Sequence, residues 1–175
     1  MVAVQAEWTP SLSGGCPKHK TWHANPMFQL VPGPAVVDAS YSLTLRQLGG
    51  TAHAIGLFII PADNATDRKT RLAKGDIIAR TKFTKGATSR LDVSLPRRDA
   101  GLPYIVVAST FDPGAYGSIS LELTSADDRA VRLVPLQPAP SGPAPSGPAS
   151  PSLAPAARAR ASAAAPAPAP APAPA

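Results

Sequence analysis

Residues 41–46 read Tyr41-Ser42-Leu43-Thr44-Leu45-Arg46, apolar and polar in strict alternation. Successive side chains of an extended chain point to opposite faces. Tyr41, Leu43 and Leu45 therefore share a face that can be buried, while Ser42, Thr44 and Arg46 meet water. Ser118-Ile119-Ser120-Leu121-Glu122-Leu123-Thr124 repeats the pattern, and so does Arg90-Leu91-Asp92-Val93-Ser94-Leu95. Val131, Leu133 and Pro135 share a face opposite Arg132. Residues 55–60 and 104–108 are apolar on both sides, which predicts central strands or strands covered on both faces. Residues 2–8, 27–31 and 75–83 are further strand candidates, and in the last Phe83 alternates with Ile77 and Ala79 onto an apolar face. No segment sustains a helical period. Pro32-Gly33-Pro34, Gly49-Gly50, Pro61-Ala62-Asp63-Asn64 and Asp112-Pro113-Gly114 supply turn chemistry between the strands. The expected fold is all-β, an antiparallel β-sandwich of about eight strands.

The chain has 175 residues and 22 prolines, of which 12 fall between Pro138 and Pro174. That stretch holds only two charges, Arg158 and Arg160, and none of the nine aromatic residues. The expected folding unit is therefore residues 1–136, long enough to bury a core. Residues 137–175 repeat a Pro-Ala-Pro-Ser-Gly unit and end in Pro-Ala alternation, which predicts a disordered, polyproline-like tail. The favoured reading of the tail is a spacer, because no charged or aromatic anchor interrupts the run as a ligand for proline-binding modules would require. No apolar run approaches the ~20 residues that span a bilayer, and the start has no basic region or long apolar stretch of a secretory signal. A single cysteine, Cys16, forms no internal disulfide framework and fits a reducing compartment. The expected location is cytoplasmic, peripheral at membranes.

The formal net charge is +6, and the excess is local. Between Asp67 and Arg98 lie ten basic residues against three acidic ones. Such a field favours anionic partners, set against the alternative of a solvated face with none. Arg68, Lys69, Arg71 and Lys74 form the first candidate cluster, Arg97 and Arg98 the second. Phe83 is the only aromatic residue in the basic stretch, whereas sheet-based nucleic-acid readers interleave stacking rings with charges. Lipid headgroups or acidic protein are the expected partners, and nucleic acid is not.

Little in the sequence points to catalysis. Cys16 lies in Ser13-Gly14-Gly15-Cys16-Pro17 with no following helix to lower its pKa, and reads as a small apolar thiol in a turn. Cys16, His19, His23 and His53 match no common zinc spacing. No glycine cluster is followed by the Lys-Ser/Thr of a phosphate loop. Calcium would need carboxylates converging from loops, with Asp63, Asp67, Asp112 and Asp127-Asp128 as candidates, whereas turn aspartates normally cap their own backbone. No catalytic residue, metal or cofactor is expected.

Several segments together resemble domain III of the calpain family of cysteine proteases. Glu7-Trp8-Thr9, Ser13-Gly14-Gly15-Cys16, Trp22 and Asn25-Pro26-Met27-Phe28-Gln29-Leu30 resemble its opening, where Glu-Trp, Gly-Gly-Cys and Asn-Pro-x-Phe recur in that order. Residues 41–47 and Ile55-Gly56-Leu57-Phe58-Ile59-Ile60 continue the likeness. Tyr104-Ile105-Val106-Val107-Ala108-Ser109-Thr110-Phe111-Asp112-Pro113 is similar to the family's Tyr-x-x-x-x-Ser-Thr-Phe-Glu-Pro, and the likeness covers residues 5–126.

The resemblance implies a C2-like sandwich that sits beside a papain-like protease core, in the same or another chain, and contributes to calcium and phospholipid responses. The catalytic cysteine of the core lies in Gln-Gly-x-Leu-Gly-Asp-Cys-Trp, which Cys16 does not reproduce, so protease activity is not carried over. The family's long acidic loop is replaced after Ile60 by a short, net basic one. The expected function is a non-catalytic regulatory module of a calpain-like protease, docking through the basic clusters to anionic phospholipid. The alternatives are a protein-interaction module bracing a separate core, or a fragment of a longer calpain-like protease.

Overall fold

The computed structural model describes residues 1–33, 38–50, 53–98, 101–125 and 130–137. The tail expected at 137–175 lies outside the described residues from 138 onward, and so do Pro34, Asp127 and Asp128. The chain is all-β, with a short 3-10 turn at Trp22–Ala24. The strands are β1 (Val2–Trp8), β2 (Met27–Val31), β3 (Asp38–Leu48), β4 (Ala54–Pro61), β5 (Ala79–Arg80), β6 (Thr84–Lys85), β7 (Thr88–Pro96), β8 (Tyr104–Thr110), β9 (Gly117–Ser125) and β10 (Arg132–Leu136). Eight of them have five residues or more, and β5 and β6 are two-residue pieces.

The strands form two antiparallel sheets. One has the order β1-β9-β3-β7, and the other β10-β2-β8-β4-β5, with β6 also on β4. In the first sheet Leu43 stands opposite both Leu91 and Leu123, and Leu45 opposite Leu121. The alternation in the sequence thus becomes a row of leucines on one face. These residues share a core with Trp8 from β1 and with Phe28, Leu30, Ile55, Leu57, Ile59, Tyr104, Val106 and Ala108 of the second sheet. Two sheets that each bury one face against the other make a sandwich.

The second sheet is also covered on its outer face. Met27, Phe58, Ile60, Ile105 and Val107 point away from the first sheet into a smaller cluster with Trp22, Ala62 and Leu136, against which Leu72 and Ile77 pack. This is why residues 55–60 and 104–108 are apolar at every position. The cover is residues 62–78, a strap with neither helix nor regular strand. It leaves the end of β4, reaches Leu136 of β10 through Arg68, and returns to pair Ala79 with Ile59.

Residues 75–83 do not form the continuous strand that the pattern predicts. Leu57 donates its backbone N–H to the Thr81 side-chain oxygen at 2.9 Å, while Thr81 N–H returns to Leu57 O at 2.9 Å. A hydroxyl has taken a backbone acceptor's place, and the ladder resumes only at Thr84 and Lys85, opposite Ile55 and Ala54. The interruption also breaks the expected shared face. Ala79 packs on the inner core and Ile77 on the outer cluster, whereas Phe83 lies over Gly56, where a Cβ would be 3.0 Å from its ring.

Candidate functional site

The six basic residues singled out in the sequence do not form one open surface. Arg68 is half-buried, and its guanidinium donates to Leu136 O at 3.0 Å, to His23 O at 2.8 Å and to Asn25 O. Burial lowers its pKa from the ordinary value, yet an arginine this basic keeps its charge. It closes three carbonyls, two in the loop around the 3-10 turn and one at the end of β10. Lys69, with a side chain only 9% exposed, bridges Asp63 at 2.9 Å and Asp76 at 3.1 Å. Burial pulls the Lys69 ammonium down, but its hydrogen bonds to Asp63 and Asp76 and their charges outweigh that, and its pKa is raised. Asp76 also accepts from Ala73 N–H at 2.8 Å, and this bond with Lys69 holds its carboxyl below the ordinary range. Arg98 donates to Ala62 O at 2.7 Å and Pro103 O at 2.8 Å, with its guanidinium 5.6 Å from the Tyr104 ring centre. Arg68 therefore ties the strap to the first loop and β10, Lys69 closes the strap on itself, and Arg98 ties its base to Pro103. Their charged groups, expected at an anionic partner, are engaged by groups of the chain itself.

Arg71, Lys74 and Arg97 are exposed, as expected of a surface cluster. Sequence reasoning left out three residues of the same basic run, Arg80, Lys82 and Lys85, which are exposed along the β5–β6 edge. Arg80 pairs with Phe58 and Lys85 with Ala54, and paired residues lie on one side of a sheet. Arg80 therefore stands at the rim of the outer face, below the returning strap. Arg71, Lys74, Arg80, Lys82 and Lys85 have no side-chain hydrogen bond or ion pair among the described residues. Arg90, by contrast, bridges Asp92 at 3.0 Å. Lysine and arginine at an edge also discourage strand-to-strand aggregation. The signal for the edge was present as charge without a nearby acid.

The residues that carry the family likeness meet in one buried knot. Asn25 accepts from Gly14 N–H at 3.1 Å and donates to Gly15 O and Trp22 O, both at 2.7 Å, and to Ser109 Oγ at 3.3 Å. Ser109 Oγ in turn donates to Gly15 O at 2.8 Å. Cys16 N–H donates to Phe111 O at 3.0 Å, and the Cys16 side chain is buried. A Cβ at Gly14 would lie 1.8 Å from Thr21 O, so only glycine lets the two segments approach. The histidines have other neighbours: His53 Nε2 meets Tyr116 O at 3.0 Å, and the His23 ring stands edge-on to Trp22. Among the described residues no three of His, Cys, Asp and Glu converge to hold a metal ion. Asp67 is tied to the Asn64 side chain in a local turn. No helix among the described residues is long and apolar enough to cross a membrane.

Beside the strap, a groove of about 860 Å³ runs along β10, lined by Leu12, Ala24, Gln29, Asp67, Val134 and Pro135 among others. Pro135 lies in this edge strand and offers no N–H to an added strand.

No family model matches the chain. It is similar to serine/threonine-protein kinase 4 homolog B of Dictyostelium discoideum, 22% identical over 129 residues. The match covers 71% of this chain and 11% of that protein, so the chain spans about a tenth of the relative's length.

Proposed function

We propose that the chain is a non-catalytic docking module of the calpain domain III type. It sits beside a papain-like protease core, in cis or in trans, at the cytoplasmic face of anionic phospholipid membranes. The observation that carries the reading is the set of five exposed cations without side-chain partners, Arg71, Lys74, Arg80, Lys82 and Lys85, along the strap and the β5–β6 edge. Each basic residue held near an anionic leaflet contributes roughly 1 kcal/mol, and cations with no local acid lose no partner on docking. The family reading rests on the buried knot, where Gly14, Gly15, Asn25 and Ser109 depend on one another through bonds that their sequence separation conceals. The match to a tenth of a much longer protein fits a module carried within larger chains. Sedimentation with phosphatidylserine vesicles, at low and physiological salt, tests the surface.

A second reading is a protein-interaction module that braces a separate protease core. It is favoured by the groove along β10, whose apolar wall of Leu12, Val134 and Pro135 could receive an apolar side chain of a neighbouring domain. Binding to a separately expressed core that is insensitive to salt, with no vesicle binding, selects this reading.

A further inference from the structure

We propose that Thr70 is a phosphorylation site for a protein kinase with an acid-lined substrate groove. Thr70 is exposed in the strap, with the exposed cations Arg71 directly after it and Lys74 beyond, while Arg68 and Lys69 before it are held by their own partners. Kinases of this class select a hydroxyl by the cations around it, and they take it from a segment that can lie extended in the groove. Residues 67–73 carry no helix and no strand.

The Thr70 hydroxyl has no hydrogen-bond partner among the described residues. Four other hydroxyls in or beside the basic stretch are either bonded or held in a strand. Thr81 is bonded to Leu57, Ser89 is buried and donates to Thr81, Thr66 donates to Asp67, and Thr84 lies in β6. Thr70 alone among these five combines exposure, an irregular backbone, an unbonded hydroxyl and exposed cations, Arg71 and Lys74, close after it.

In the reaction, Thr70 Oγ1 attacks the γ-phosphorus of a nucleoside triphosphate. The new O–P bond forms as the bond to the β,γ-bridging oxygen breaks. The nucleoside diphosphate leaves, and the hydroxyl proton passes to the kinase's general base. The consequence for the strap follows from its charges. Residues 63–76 hold Arg68, Lys69, Arg71 and Lys74 against Asp63, Asp67 and Asp76, a balance of +1. A phosphate adds about −1.5 to −2 at neutral pH, so the strap becomes net negative. If the docking reading proposed above holds, the modification opposes attachment to an anionic surface.

The test incubates the full chain, its Thr70→Val variant and a peptide of residues 64–76 with the catalytic domain of protein kinase C and Mg·ATP, and maps phosphate by tandem mass spectrometry. The expected result is phosphate at Thr70 of the full chain and none at that position in Thr70→Val. A full chain without phosphate at Thr70 overturns the proposal, whether or not the free peptide is modified. In a second arm the phosphorylated chain binds phosphatidylserine vesicles roughly tenfold more weakly than the unmodified chain. Binding that phosphate leaves unchanged overturns the charge effect. An unmodified chain that never binds overturns the docking reading, and the mass spectrum still decides the site.

Discussion

The Arg68 guanidinium donates to the carbonyl oxygen of His23 at 2.8 Å, tying the strap to the 3-10 turn across 45 residues of sequence. The same side chain reaches Asn25 and Leu136, so one cation joins the strap, the first loop and the last described strand. Such a residue belongs to the fold, whatever its charge suggests.

Replacing Arg68 by Ala is therefore expected to destabilise the chain by about 2–4 kcal/mol, because three carbonyls lose a charged donor. Arg71→Ala, three residues on and exposed, should change stability by less than about 0.5 kcal/mol. Urea unfolding followed by tryptophan fluorescence compares the two. Equal midpoints would mean that Arg68 does not hold the strap.

The knot around Asn25 makes a second prediction. Asn25→Ala leaves Gly14 N–H without its side-chain acceptor and removes a donor from Gly15 O and Trp22 O. It should cost about 2–4 kcal/mol. Gly14→Ala must displace Thr21 O and should be at least as damaging. Thermal unfolding of both variants checks this. A Gly14→Ala protein as stable as the parent would contradict the close approach of the two segments.

Asp76 carries a lowered pKa, first through the Ala73 N–H and then through Lys69. A carboxyl with a depressed folded value contributes stability that is fully present above its unfolded value and lost as pH falls through the folded one. Stability should therefore decline as pH drops below the ordinary aspartate value of 3.8. Asp92 adds a decline of the same sign, its carboxyl lowered by Ser42 and then by Arg90. Lys69, with its raised pKa, contributes below its ordinary value of 10.5 and loses that contribution as pH rises through its folded value. Urea midpoints measured across both limbs should be flatter in Asp76→Asn than in the parent. Parallel curves would show that the strap's ion pairs are not coupled to folding.

The two-layer architecture was legible because period-two alternation at residues 41–46, 90–95 and 118–124 states directly which side chains face inward. Residues 55–60 and 104–108 also announced their double cover, and Trp8, Trp22 and Phe28 are buried as core residues should be. The candidate surface was less legible. Charge along the chain does not reveal whether a cation faces water or a carbonyl brought close by the fold, and Arg68 finds its acceptors 43, 45 and 68 residues away. The break at Thr81 was hidden for a related reason, since a threonine inside an extended run gives no sign that its hydroxyl will replace a backbone acceptor.

The central claim is that the exposed cations of the strap and the β5–β6 edge form a docking surface for anionic membranes. Its most direct measurement is co-sedimentation with phosphatidylserine vesicles at low and physiological salt, comparing the parent with Arg80→Ala/Lys82→Ala/Lys85→Ala. With each cation contributing roughly 1 kcal/mol, the parent should bind at low salt and weaken as salt rises, and the triple variant should lose on the order of a hundredfold in affinity. Binding by the triple variant equal to the parent's, or no parent binding at low salt, would contradict the account.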